Sequence, residues 1–330
     1  CHEDVCKWWT RQESKTHQLL LFPRDHGKSA MVAYRVAWEL TKNPTLRVLY
    51  ISATSNLAQK QLSFIKNIFE SDIHQKYWPQ HLNKDESKRE KWTTSEIALD
   101  HPDRKKEAIR DPSIFTGGLT TSLTGMHCDI AVLDDVVVFE NAYTNEGRNK
   151  VKSQYSLLSS IEGSEAREWV VGTRYHPKDL YSDLMGMEED LYSDKDELVG
   201  KANIYEVMER AVEAGGDGTG DFLWPRQTRS DGKLFGFDIK ILAKKRGQYL
   251  DRVQFRAQYY NDPTDPDSQP IAYDRFQYYD KKHLVRESGQ WLYKGNKLNV
   301  SAAVDFAYSV SKRADYTAVI VIGVDSENNG

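Results

Sequence analysis

The first regular pattern in the chain is a short apolar run at 18–22, Gln-Leu-Leu-Leu-Phe, of strand length. A turn follows, and then Val32, Val36 and Leu40 repeat every four residues with Ala33 and Ala37 beside them, which predicts an amphipathic helix. A second apolar run, 46–54, predicts a strand, and Ala58, Leu62, Ile65 and Phe69 mark one face of the helix behind it. Residues 71–112 are polar and charged with little periodicity and read as a surface excursion. The run 129–139 predicts a strand, Val151, Tyr155, Leu158 and Ile161 a helix, and 169–173 another strand. Strand and helix in alternation argue for a parallel sheet covered by helices on its faces.

Beyond residue 173 the pattern weakens. An acidic stretch, 188–197, and a Gly-rich one, 215–220, read as loops, and two helical patterns lie near 237–260. The segment 262–270, Asp-Pro-Thr-Asp-Pro-Asp-Ser-Gln-Pro, has linker composition, and past it the pattern turns to strands. The layout expected is an α/β core at 1–185, a small lid-like subdomain at 186–262, a linker at 263–270 and the beginning of another domain at 271–330.

Composition changes this picture little. Of 330 residues 39% are apolar and 11% aromatic, enough for a sizeable core. No apolar run approaches the roughly 18 residues of a membrane helix, and no charged-then-apolar leader is present, so a soluble protein without a membrane partner is expected. The first residue is Cys1 rather than Met, and Gly330 follows a strand-like run, which suggests a sequence cut from a longer protein. A net charge of −4 neither demands nor forbids nucleic acid, because a protein sliding on DNA needs only a local basic surface. Three cysteines make no disulfide framework and suit a reducing compartment. Cys1, His2 and Cys6 cluster without a standard metal-ligand spacing, and the plainer reading is a turn of helix.

The turn after the first strand carries the chemistry. Gly27-Lys28-Ser29 matches the end of a phosphate loop and sits between a strand and a helix, where such a loop belongs. Gly27 allows a tight turn, so that successive N–H groups of the loop, Asp25 and His26 included, point at phosphate oxygens. Lys28 would reach the β- and γ-phosphates of ATP, and the Ser29 hydroxyl would hold Mg²⁺ at a helix N-terminus that favours anions. The usual first Gly is missing; Phe22 stands there. About a hundred residues on, the apolar run at 130–133 ends in Asp134-Asp135. An acid at the C-terminal end of a parallel strand lies beside the phosphate loop, which assigns Asp134 to Mg²⁺ and Asp135 to the attacking water. Glutamate is usual at the second position, and aspartate is shorter by roughly 1.5 Å; either Asp135 still reaches a shifted water or Glu140 takes the role. A third strand end, Gly172-Thr173 followed by Arg174, either places a hydroxyl to sense the γ-phosphate or is an ordinary turn.

The run at 23–29 (PRDHGKS), the strand ending LDD and the run at 170–181 (VVGTRYHPKDLY) resemble the large subunit of tailed-phage DNA-packaging terminases. Leu223–Pro225 and the run at 255–263 (FRAQYYNDP) extend the likeness to nearly the whole chain. The resemblance implies an α/β P-loop NTPase fold, with a doubly wound, mostly parallel sheet and a lid-like subdomain, followed by the first strands of an RNase H-like domain. It implies a γ-phosphate contact for Arg24 and a coupling motif at Gly172 and Thr173. Arg148 and Arg174 are candidates for the arginine that neighbouring subunits exchange. ATP-driven translocation of double-stranded viral DNA would follow, in a homo-oligomeric ring on the portal of a procapsid, with a small terminase subunit, in the host cytoplasm. In the 300–323 segment Asp305 matches the acid on the first nuclease strand, and Asp315 falls in a recurring DYTA segment. If the intervening turn centres on Val310 the two face each other, and a divalent metal between them would offset their repulsion. The competing readings are a helicase-type ATPase and a nucleotide-binding scaffold without turnover.

Overall fold

The computed structural model describes residues 2–11, 15–122, 125–193, 195–264, 279–305 and 318–326. The chain divides into one compact unit that ends at residue 265 and a second over 266–330. In the first unit α1 (His2–Thr10) precedes β1 (His17–Leu21), α2 (Lys28–Lys42), β2 (Val48–Ser52), α3 (Ser55–Glu70) and α4 (Asp72–Tyr77). Then come β3 (Lys91–Trp92), β4 (Glu96–Ala98), α5 (Pro102–Lys106), β5 (Ile114–Gly118) and β6 (Cys128–Asp134). After them follow α6 (Phe139–Ala142), α7 (Asn145–Ser156), β7 (Glu162–Gly172) and α8 (Leu180–Met185). The unit closes with β8 (Glu188–Tyr192), β9 (Leu198–Asn203), β10 (Tyr205–Glu209), β11 (Gln227–Thr228), β12 (Leu234–Phe235), α9 (Ile239–Gln248) and α10 (Arg252–Tyr260).

Eight strands form one sheet in the order β10-β1-β7-β6-β2-β5-β4-β3. The pairs from β10 to β5 are parallel, and β4 and β3 extend the edge antiparallel. Strands buried on both faces explain the unbroken apolar runs, because successive side chains go to opposite sides. Leu20, Val48, Tyr50, Ile130, Val132, Trp169 and Val171 face one core with the apolar stripes of α2 and α3. Their neighbours Leu19, Leu21, Leu49, Ile51, Ala131, Leu133 and Val170 face the other, with Val151 of α7 and Leu180 and Leu184 of α8. Each such side chain fully buried is worth about 1.5–3 kcal/mol. The fold is thus the α/β, doubly wound, mostly parallel one read from the sequence.

Four segments differ from their expected structure. The polar stretch 71–112 adds β3 and β4 to the sheet and buries Ile97 and Leu99. The strand expected over 129–139 stops at Asp134, because Asp135 turns into the left-handed region (φ 49°) and redirects the apolar residues after it. The acidic stretch is an exposed antiparallel hairpin, β8–β9. Within 186–262, expected as a lid, β10 joins the main sheet beside β1, whereas Val212, Phe237, Leu242, Phe255 and Tyr259 form a small core of their own. The start of the linker reading, 262–264, is described; the rest of it lies outside the described residues.

Away from the strand ends that carry the motifs, β7 bulges: between the pairs Cys128–Glu162 and Ile130–Arg167 it runs five residues against two on β6. Glu168 is buried there, bonded to the hydroxyls of Tyr155 and Tyr205. Burial, with the charge of Glu162 beside it, pushes its carboxyl up to about 8.

In the second unit β13 (Leu284–Glu287), β14 (Gln290–Tyr293) and β15 (Asn296–Lys297) form an antiparallel meander, and β16 (Asn299–Asp305) pairs antiparallel with β17 (Ala318–Val324).

Candidate active site

The C-terminal ends of β1, β6 and β7 converge on a cavity of about 370 Å³. Arg24, Asp25, His26, Gly27, Lys28, Ser29, Asp135 and Thr173 line it, joined by Ala30, Leu57, Val138, Tyr175 and Gln258. Ligands in open α/β sheets bind at such strand ends. The loop between β1 and α2 owes its shape to Asp25 (φ 64°) and Gly27 (φ 72°), two left-handed residues that flank His26. Gly27 tolerates this at no steric cost.

At the start of α2 the Ser29 hydroxyl donates to Asp134 Oδ1 at 2.9 Å, and the buried Tyr50 hydroxyl donates to Asp134 Oδ2 at 2.9 Å. Burial and the neighbouring Asp135 push the Asp134 carboxyl up to about 7, although Lys28, Tyr50 and Ser29 favour its charged form. Lys28 Nζ lies 3.2 Å from Asp135 Oδ2, so the loop lysine is paired with the second acid. Asp135 is held by its N–H, which donates to the Val171 carbonyl at 2.9 Å. A non-glycine residue with positive φ at a candidate catalytic position is the kind of local strain that functional sites carry.

Most of the expected residues therefore come together, with distinct parts. His26 offers the cavity its backbone: its ring is buried, stacks on Phe237 at 4.8 Å and binds the Arg24 carbonyl through Nδ1 at 2.9 Å. Burial lowers its pKa. His2, from the N-terminal cluster, binds the His26 carbonyl through Nε2 at 3.0 Å. The Asp25 carboxylate meets Lys245 Nζ of α9 at 3.1 Å. Thr173 is buried and donates to the Phe22 carbonyl at 3.0 Å, which ties the end of β7 to the end of β1. Glu140 is exposed on α6 and does not line the cavity. Arg174 is buried in an ion pair with Asp179 at 3.1 Å, and Arg148 is buried with Nη1 donating to the Ala142 carbonyl at 2.7 Å. Neither arginine is presented outward, as an arginine exchanged between subunits must be. In the second unit the residue opposite Asp305 is Ala318, and Asp315 lies outside the described residues.

Five lining residues were not expected from the sequence, and two of them, Tyr175 and Gln258, are polar. Tyr175 lies inside the third motif and its side chain carried no signal. Gln258 is more than two hundred residues from the loop it touches.

A phosphate loop at one parallel strand end, with paired aspartates at the end of another, defines the α/β architecture of a P-loop NTPase. Over 188 residues the chain is 29% identical to the large terminase subunit of Enterobacteria phage T3, a stretch that covers 56% of this chain and 30% of that protein. The chain thus spans less than a third of the length of this curated relative. Among solved structures, the large terminase of bacteriophage HK97 matches with a TM-score of 0.48 at 12% identity, over 99% of this chain and 60% of that one. The ATPase domain of the Thermus phage P74-26 large terminase matches with a TM-score of 0.42 at 11% identity, over 77% and 90%. No family model matches the chain. The chain resembles terminase large subunits, as its motifs suggest.

Proposed function

We propose that this chain is the ATP-hydrolysing part of a terminase large subunit, which drives double-stranded viral DNA into a procapsid. The observation that carries the reading is the Ser29–Asp134 contact at 2.9 Å beside the Lys28–Asp135 pair at 3.2 Å, within one cavity at the strand ends. A hydroxyl and a buried carboxylate side by side, with a second carboxylate adjacent, fit a Mg²⁺ ion in their chemistry. When bound, Mg²⁺ would neutralise charge on the β- and γ-phosphates. Lys28 exchanges Asp135 for the phosphates when ATP enters, and Asp135 is then free to accept the proton of the attacking water. Asp135 suits this role better than Glu140, which stands outside the cavity. Arg24 contacts the γ-phosphate, and Thr173 links the end of β7 to the phosphate loop.

Contacts with DNA are directed at phosphates and indifferent to sequence. Lys244, Lys245 and Arg246 on α9 are candidates for them, and Lys245 also touches Asp25 of the loop. The full-length protein works as a homo-oligomeric ring with portal protein, procapsid and small terminase subunit in the host cytoplasm, where Asp305 and Asp315 would be among the carboxylates that hold a metal for the cleavage of concatemeric DNA. Phosphate release measured with and without blunt linear duplex tests the motor reading. Stimulation by intact duplex is expected. Indifference to duplex, with unwinding of a forked substrate, would replace it with the helicase reading.

A further inference from the structure

The run from Phe255 to Asn261 has no part in the chemistry above, yet its Gln258 lines the cavity. Gln258 on α10 is 4% exposed and uses its polar groups on two other segments. Its main-chain carbonyl accepts the Arg24 N–H at 2.9 Å, and its Oε1 accepts from Arg24 Nη1 at 3.3 Å. Its Nε2 donates to the Arg174 carbonyl at 3.1 Å. Asn261, the left-handed cap of α10 (φ 54°), accepts the Arg174 N–H on Oδ1 at 3.1 Å and donates to the Arg210 carbonyl at 2.9 Å. The phosphate loop and the end of β7 are therefore tied together twice, directly through Thr173 and through α10.

We propose that Gln258 is a positioning residue for the nucleotide reaction, which acts through Arg24 and holds it in register with the Thr173–Arg174 segment. The proposal rests on the ATPase reading of the cavity. A buried amide that only had to be satisfied could bond to one neighbour; Gln258 divides its donor and acceptor between Arg24, which lines the cavity, and Arg174, whose neighbours Thr173 and Tyr175 line it. Because Gln258 sits on α10, whose Phe255 and Tyr259 belong to the small separate core, any shift of that core is transmitted to Arg24. Small displacements of a positioned group cost reactions heavily, about 10²-fold for roughly 1 Å.

The test is steady-state phosphate release for wild type, Gln258→Leu, Gln258→Glu, Arg24→Ala and the Arg24→Ala/Gln258→Leu double variant. Gln258→Leu fills the space without either hydrogen bond and is expected to lower kcat ~10- to 100-fold with KM for ATP changed less than ~3-fold. Gln258→Glu keeps the acceptor for Arg24 and loses the donor to Arg174, for an expected loss of ~3- to 10-fold. If Gln258 acts through Arg24, the double variant is no slower than Arg24→Ala alone. Losses that multiply in the double variant, or a Gln258→Leu protein with wild-type kcat, would overturn the proposal. Should Gln258→Leu fail to fold by circular dichroism, wild-type kcat in Gln258→Glu overturns it instead. A wild type no faster than Lys28→Ala removes the ATPase reading itself, whereas Lys28-dependent turnover indifferent to Gln258 removes this proposal alone.

Discussion

Gly172 ends β7 against the ring of Tyr181, and replacing it with alanine perturbs one contact of known geometry. A Cβ built there would lie 2.2 Å from the Tyr181 hydroxyl oxygen, 2.3 Å from Cζ and 2.7 Å from Cε2. Real carbon contacts need more than 3 Å, so ring or strand must move by about 1 Å. The ring has no room: Tyr181 is fully buried, and its hydroxyl accepts the Val137 N–H at 3.4 Å, beneath the turn that carries Asp135. Overpacking of this kind costs about 1–3 kcal/mol. Weakening the Val137 contact adds about 1 kcal/mol. The sum, about 2–4 kcal/mol, corresponds to a Tm lower by roughly 4–15 °C for a unit of this size. Thermal denaturation followed by circular dichroism reads it directly. Combining Gly172→Ala with Tyr181→Leu, whose side chain ends short of the colliding atoms, should recover at least ~1 kcal/mol relative to additivity. A Gly172→Ala protein that melts within ~1 °C of wild type would refute the packing described for this strand end.

Asp135→Asn should abolish turnover while a fluorescent ATP analogue still binds, and Glu140→Gln should hydrolyse ATP within ~2-fold of wild type. The reverse pattern would move the base to Glu140. Glu168 links stability to pH. Its folded pKa of about 8 stands above its ordinary 4.5, so the native state holds the extra proton between them, and its contribution is present below pH 4.5 and lost as pH rises towards 8. Melting curves across that window should fall less steeply with pH for Glu168→Gln than for wild type, and parallel curves would contradict the burial assigned to this carboxyl.

The parts of the fold and site that were legible in the sequence are those encoded locally. The runs that became β1, β2, β6 and β7 are apolar on both faces, and the stripes of α2 and α3 have helical spacing. Gly27-Lys28-Ser29 and Asp134-Asp135 each follow such a run. What escaped depends on distant partners. Strand β5 drew no expectation from the sequence; it ends in Gly117-Gly118, and a Cβ at Gly118 would lie 2.8 Å from the Ser55 amide nitrogen, so the absence of a side chain is what lets β5 lie against the start of α3. The end of β6 escaped because Val136–Phe139 continue the apolar run after the left-handed Asp135 has turned the chain. Gln258 escaped because its meaning lies in Arg24 and Arg174, 234 and 84 residues away.

The most direct test of the account is phosphate release from ATP with Mg²⁺ by wild type and by Lys28→Ala, both checked for native circular dichroism. Removing a cation aimed at the phosphates should cost at least ~10²-fold in turnover. Equal turnover by the two proteins would mean that the Gly27-Lys28-Ser29 loop does not carry the chemistry assigned to it.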